Sequence, residues 1–364
     1  MILIFAVFVA FMLLCGERKY FGANWNKGLS VQLRFCQRGV NAGETCSLEE
    51  TVENAKRMSL PSLQVKFQTS ASLLFDRDRN AAVTDNYYRN DLFAAGGRRR
   101  ITRKLEFVPI QRGYYRIDTI DVLARDFFYT MTCSQRQEND TCLYVYPYKR
   151  DVSRFEILYR RMQGELLAVR CMEEDPFAFR GMREYRPTDS MRRINWKSTA
   201  KTGKMLVNIY DSSFSQEICI VLNGTCRQEG KKRELQEMAV SIASSVAQDL
   251  LQKGIPVSLR SNITDILHGE EVCCEAGMGG SQQLTMDRKL ALADLKNVTI
   301  PFEETVRQCG GGKSFYLIIT AEDTTALRDE IEKKSEAGDQ IYGIIVCSEE
   351  KKKPQDDHFI YWSI

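Results

Sequence analysis

Chemistry-bearing side chains concentrate in the stretch Gly181-Met182-Arg183-Glu184-Tyr185-Arg186-Pro187-Thr188-Asp189-Ser190-Met191-Arg192-Arg193-Ile194-Asn195-Trp196-Lys197-Ser198-Thr199-Ala200-Lys201-Thr202-Gly203-Lys204-Met205-Leu206-Val207. Arg183, Arg192 and Lys197 supply cations, Glu184 and Asp189 supply carboxylates close by in sequence, and Tyr185 and Trp196 supply amphipathic rings. No nucleophile, base and orienting group stand together as a catalytic set. Two roles fit these residue types. In the first the cations meet acidic groups of a partner and Trp196 anchors the contact. In the second Arg183 or Arg192 pairs with Glu184 or Asp189, and Trp196 fills a joint between domains. The brace is the first expectation, and both roles can hold for different residues.

Elsewhere the residue types exclude more than they suggest. The chain carries 51 basic and 48 acidic side chains, a net +3. That excess is too small for nucleic-acid binding driven by charge, so no nucleic-acid partner is expected. His268 and His358 are the two histidines, which weighs against a His-rich zinc site, a His-dependent triad and Cys–His hydrolase chemistry. Gly310-Gly311-Gly312-Lys313-Ser314 imitates the end of a phosphate-binding loop. The earlier glycine such a loop needs is replaced by Arg307, and a strand follows instead of a helix, so no ATP site is expected. His268-Gly269-Glu270-Glu271-Val272-Cys273-Cys274 holds metal-ligand types, but adjacent cysteines seldom reach one ion, and a surface loop is expected. The 12 cysteines include no CxxC, and Cys219 and Cys347 lie in apolar runs, as reduced core thiols in a cytosolic setting do. Bridges Cys36/Cys46 and Cys133/Cys142 are the competing possibility.

These side chains need elements to position them. A chain of 364 residues, 43% hydrophobic and 27% charged, reads as two folded domains plus attachments. Ile2–Leu14 contains no charged or polar residue and Cys15-Gly16 extend it. This makes a helix of roughly 20–24 Å, short against ~30 Å of hydrocarbon, and residues 1–16 are expected to form an uncleaved membrane anchor, with a signal peptide as the rival. Arg18, Lys19 and Lys27 follow the run, so the positive-inside rule places the protein at the cell membrane with its soluble domains facing the cytoplasm. Residues 17–150 show short strand-like stretches, as in the alternation of Ser30-Val31-Gln32-Leu33-Arg34-Phe35, and predict an Ig-like β-sandwich. Polar Asp76–Gly97 is expected to be a loop, and Arg98-Arg99-Arg100 a solvated strand edge.

Residues 151–214 read as a connecting region. Within it Pro187 breaks any earlier helix, Asp189 or Ser190 can cap the next turn, and Gly203 can stop it, which predicts a helix over Met191–Lys201 and a strand over Met205–Tyr210. On that helix Arg193 and Lys197, like Arg192 and Trp196, would be neighbours. Residues 215–364 alternate apolar runs with amphipathic segments such as Arg233–Lys253, which predicts an α/β domain with a mostly parallel sheet and ligands at its carboxyl ends.

The order Arg-Glu-Tyr, Pro-x-Asp, Arg-x-Ile-x-Trp-Lys and then small and basic residues resembles the signature of the bacterial family catalogued as domain of unknown function 58. Asn195 stands where an acidic residue is frequent, Lys201 where Arg is frequent, and one hydrophobic segment replaces the common two. The resemblance implies an α+β multidomain layout: membrane anchor, β-rich domain, signature, and a von Willebrand factor A-like domain of Rossmann type. It also implies a non-enzymatic, membrane-associated adaptor role as partner of a MoxR-type AAA+ ATPase in a chaperone or assembly system. Such A-like domains often hold Mg²⁺ through an Asp-x-Ser-x-Ser loop. The corresponding loop is Asn223-Gly224-Thr225-Cys226-Arg227, with Asn for the first carboxylate and Arg for the last hydroxyl. Asn223, Thr225, Thr320 and Asp323 are then a degenerate metal loop, and no metal or other cofactor is expected. Divalent-metal-dependent binding of a protein ligand by that domain is the second functional reading.

Overall fold

The computed structural model describes residues 2–363 apart from 76–80, 84–85, 154, 157, 163–178, 188, 211–216, 229, 311–314 and 349–357; for 2–3, 81–83, 180 and 210 it describes the backbone alone. The chain divides into two units, Met1–Lys149 and Arg150–Ile364.

The first unit opens with helix α1 (Ile2–Asn24) and continues as β1 (Leu29–Phe35), β2 (Gly39–Asn41), β3 (Cys46–Asn54), β4 (Leu60–Ser70), β5 (Leu73–Phe75), β6 (Ala81–Val83), β7 (Asn86–Ala95), β8 (Arg99–Pro109), β9 (Gly113–Arg125) and β10 (Thr132–Tyr146). Two sheets form, ordered β1-β3-β8-β5 and β2-β10-β9-β4-β7-β6. Strand β1 alternates buried and exposed residues along its whole length, so that one side of the pleat is apolar. Inward residues of both sheets share one core, in which the Phe35 and Phe75 rings lie 5.8 Å and 4.9 Å from Phe107.

Strand β7 occupies part of the segment expected as a loop. Its inward residues are Tyr87, Arg89, Asp91, Phe93 and Ala95, and the two charges among them hide the period-2 signal. They persist inside because they are paired: Arg89 Nε lies 2.5 Å from Asp91 Oδ2, and Arg103 Nη1 lies 2.9 Å from Asp91 Oδ1. A buried charge without such partners would be costly.

The expected fold class and cell-membrane location need correction. No helix among the described residues is long and apolar enough to cross a membrane. Helix α1 does not end at the apolar run; it continues through Glu17, Arg18 and Lys19, and Phe21 in its last turn and Trp25 just after it are buried in the core of the first unit. Among the described residues, strand outweighs helix.

The second unit contains β11 (Phe179–Glu184), α2 (Trp196–Thr202), β12 (Leu206–Tyr210), β13 (Ile218–Leu222), α3 (Lys232–Gln252), β14 (Val257–Ser261), β15 (Ile263–Asp265), β16 (Cys274–Gly277), α4 (Gly279–Leu292), β17 (Ala293–Val298), α5 (Phe302–Gln308), β18 (Phe315–Thr320), α6 (Thr325–Glu336), β19 (Gln340–Cys347) and β20 (Phe359–Ser363). Its main sheet runs β16-β14-β13-β18-β19-β20. The sheet is mixed, because β16 pairs antiparallel with β14 while β14, β13, β18, β19 and β20 pair in parallel. Two further antiparallel ladders, β15–β17 and β11–β12, stand apart from it. The von Willebrand factor A-like, Rossmann-type assignment is therefore replaced by this mixed topology.

Helix α3 buries the predicted stripe of Leu235, Met238, Ala239, Ile242, Val246 and Leu250 with Ile220 and Leu317 of the sheet. Phe302, Val306 and Leu327 of α5 and α6 cluster with Val221 and Ile318. Glu330 on α6 is buried and bonded to Arg307 of α5 at 3.2 and 3.3 Å. Gly343 on β19 is required by contact: a Cβ there would run into the Phe359 ring of β20.

Candidate functional site: the 179–210 hairpin and the cleft beyond β13 and β18

Strands β11 and β12 pair antiparallel with Arg183 opposite Val207 and Glu184 opposite Leu206. The chain between them is pinned back onto β12: Tyr185 N donates to Met205 O (2.9 Å), Asn195 N to Leu206 O (2.8 Å), and Ile194 forms a bridge with Val207. Ile194 and Val207 are buried at this crossing. The turn is fixed by charge. Arg183 forks onto Asp189 with two contacts of 2.6 Å, and Asp189 Oδ2 accepts the Arg186 amide at 2.8 Å. Hydrogen bonds from the Arg183 guanidinium, aided by that amide, hold the Asp189 carboxyl below the usual carboxylate range. Glu184 pairs with Lys204 at 2.7 Å, and this bond likewise lowers its carboxyl.

The predicted continuous helix over Met191–Lys201 is broken. A 3-10 turn covers Met191–Arg193, and α2 starts at Trp196 because Ile194 is drawn onto Val207 and Asn195 serves as its cap. Asn195 Oδ1 accepts the Ser198 amide at 3.0 Å, and its Nδ2 donates to Asn208 Oδ1 at 2.9 Å. Asn195, set aside in sequence as a departure from the signature, thus holds the helix in place. Ser190 makes no side-chain cap. Gly203 ends α2 at φ +70°, a left-handed conformation suited to glycine.

Seven signature residues therefore separate into two groups. Arg183, Glu184 and Asp189 are spent on the hairpin itself, and Tyr185 is half-buried. Arg192, Trp196 and Lys197 are exposed, Trp196 with 65% of its surface free. Met191 is 66% exposed, and Met182 lies beside the helix cap, its Sδ 3.5 Å from Asn195 Nδ2. Nothing in the sequence marks these two methionines, because an isolated Met carries no charge pattern.

The degenerate loop lies at the carboxyl ends of β13 and β18. Asn223 Nδ2 donates to Thr320 Oγ1 at 3.0 Å, and Asn223 Oδ1 accepts the Thr225 amide at 2.8 Å. Buried Asn262, missed in sequence, knits the floor by accepting the Gly224 amide at 2.8 Å and donating to Thr225 Oγ1 at 3.3 Å. No local signal marks it, since it follows the mixed strand β14, Val-Ser-Leu-Arg-Ser. Asn223, Thr225 and Thr320 are thus brought together, whereas Asp323 is taken by Arg328 at 2.7 and 2.9 Å and by the Tyr361 hydroxyl at 3.3 Å. Among the described residues no group of His, Cys, Asp and Glu is placed to hold a metal ion. A cavity of about 480 Å³ opens over this floor. Residues 311–314 of the phosphate-loop imitation lie outside the described residues.

A model of the family described as Protein of unknown function DUF58 matches residues 181–293, which contain the signature hairpin, the degenerate loop and α3. The chain is similar to Uncharacterized protein YeaD of Bacillus subtilis (strain 168), at 20% identity over 180 residues, 48% of this chain and 44% of that protein. It thus spans under half the length of that curated relative. Among solved structures it resembles the CARDB domain of the PF1109 protein from Pyrococcus furiosus, at 17% identity and a TM-score of 0.23 over 32% of this chain and 91% of that one. A cohesin module of a family 33 glycoside hydrolase from Clostridium perfringens is similar at 9% identity and a TM-score of 0.21, over 31% and 98% of the two chains.

Proposed function

We propose that the chain is a non-enzymatic interaction protein that acts as an adaptor for a MoxR-type AAA+ ATPase, with the signature hairpin as its contact face. The observation that carries this reading is the 65% exposure of Trp196 on a hairpin whose shape is locked by the Arg183–Asp189 pair. An indole held in water by a fixed scaffold costs the free protein apolar hydration and gains when a partner covers it, as tryptophan anchors do at interface centres. Exposed Arg192 and Lys197 beside it favour an acidic counter-surface and set orientation and encounter rate. In this reading Arg183, Glu184 and Asp189 are the brace and Arg192, Trp196 and Lys197 the dock.

The test is co-purification of the full chain with such an ATPase. Trp196→Ala and Arg192→Glu are each expected to abolish it while leaving the folded chain unchanged by circular dichroism. Full retention of the complex by both folded variants overturns the reading.

A further inference from the structure

A second feature of the second unit, independent of the hairpin, is the cavity of about 480 Å³ at the carboxyl ends of β13 and β18, a size within the ~300–1,000 Å³ of small-ligand sites. Strand β13 connects through α3 to β14 on one side and borders β18 on the other. Ligands of open α/β sheets settle at such a divergence.

The floor of Asn223, Thr225, Asn262 and Thr320 is neutral and bonded to itself. The charges stand on the walls, as Arg227, Lys232 and Lys296 against Glu303 and Glu322, which among the described residues leaves one positive charge in excess. Glu303 already accepts the Thr324 hydroxyl at 3.1 Å. Glu322 approaches Arg227 no closer than 3.9 Å, and the Arg227 side chain is 83% exposed. Lys232 begins α3, whose N-terminus has no capping side chain and opens with the cations Lys231, Lys232 and Arg233 ahead of Glu234 in the same turn. Cations at the positive end of a 21-residue helix repel its dipole. An anion placed among them is attracted by both.

We propose that this cavity binds a carboxylate, held directly by Arg227 and Lys232 without a metal ion between them. The single excess charge suits a carboxylate monoanion better than a phosphate dianion, and three wall cations disfavour a divalent metal. One chemistry has two sources here: a free small organic acid, or an acidic side chain of a protein.

The experiment is calorimetric titration of the full chain, in EDTA and at constant ionic strength, with sodium acetate, an end-blocked glutamate-containing hexapeptide and inorganic phosphate. At least one carboxylate probe is expected to saturate, and to bind about tenfold more weakly or worse after Arg227→Ala or Lys232→Ala. Both side chains are exposed, so the variants keep the wild-type melting temperature without ligand, and Arg227→Lys retains part of the affinity. Binding of the peptide alone assigns the site to a protein side chain; binding of acetate as well assigns it to small acids. Absence of binding by both carboxylates, binding untouched in both alanine variants, a requirement for Mg²⁺, or tighter binding of phosphate each overturns the proposal.

Discussion

Glu50 is fully buried on β3. Burial, reinforced by the nearby Asp91 charge and opposed by Arg103 and Arg89, pushes its carboxyl from the ordinary 4.5 up to about 8. The folded chain therefore keeps a proton that the unfolded chain gives up above about 4.5. Between these two values the folded state binds more protons, so this group makes stability fall as pH rises, and the loss levels off above about 8. Urea unfolding at pH 5 and pH 8 should show a higher midpoint at pH 5. Glu50→Gln, which stays neutral, should reduce that difference; an unchanged pH dependence refutes the assignment. Trp196 presents the opposite case. Its exposure means that Trp196→Ala should move the urea midpoint little, within about 0.5 kcal/mol, even though it removes the proposed contact.

At the level of elements, α2 is only seven residues, Trp196–Thr202, too short to persist by its own hydrogen bonds. It survives through its ends: Asn195 caps the start and ties it to Asn208 on β12, and Gly203 closes the finish. Asn195→Ala should cost about 1 kcal/mol at the cap and speed amide hydrogen exchange at Ser198, with far smaller change in the main sheet. Equal exchange at Ser198 in both proteins would show that the cap does not hold the helix. Much of this element was legible, since Pro187, Asp189 and Gly203 marked a turn and a stop. The break at Ile194 was not, because it depends on Val207, a bridge partner that no local pattern reveals. The same limit applied to β7, where Arg89 and Asp91 face inward, and to Glu330, whose partner Arg307 belongs to another helix.

For the molecule as a whole, the apolar cores are built from separate sets of residues, one from Phe21 to Val145 and the others from Phe155 onward. Each unit should then unfold on its own account. Calorimetry of the full chain should resolve two transitions, one of which a fragment starting at Arg150 reproduces; a fragment without any cooperative transition would contradict this. Alternation in β1 and the stripe of α3 could be read because each element buries one face. The apolar run at the N-terminus is misleading by itself, because the same helix goes on through charged residues to the core residue Phe21, with Trp25 buried just past its end. In the candidate cleft, Asn223, Thr225 and Thr320 were legible as one cluster, but Asp323 was not separable from them until Arg328 and Tyr361 were seen to claim it. Lys232 and Lys296 come to that cavity from distant segments, which spacing cannot show.

The Arg89–Asp91–Arg103 cluster also governs how β7 can align. Side chains of a strand change sides with every residue, so sliding β7 by one position along β4 would send Arg89 and Asp91 outward and bring Tyr88, Asn90 and Leu92 in. Arg103 would then be left facing a strand with no carboxylate to receive it. A purely oily β7 would tolerate neighbouring alignments almost equally; this one accepts a single match, as a key with one cut tooth fits one ward.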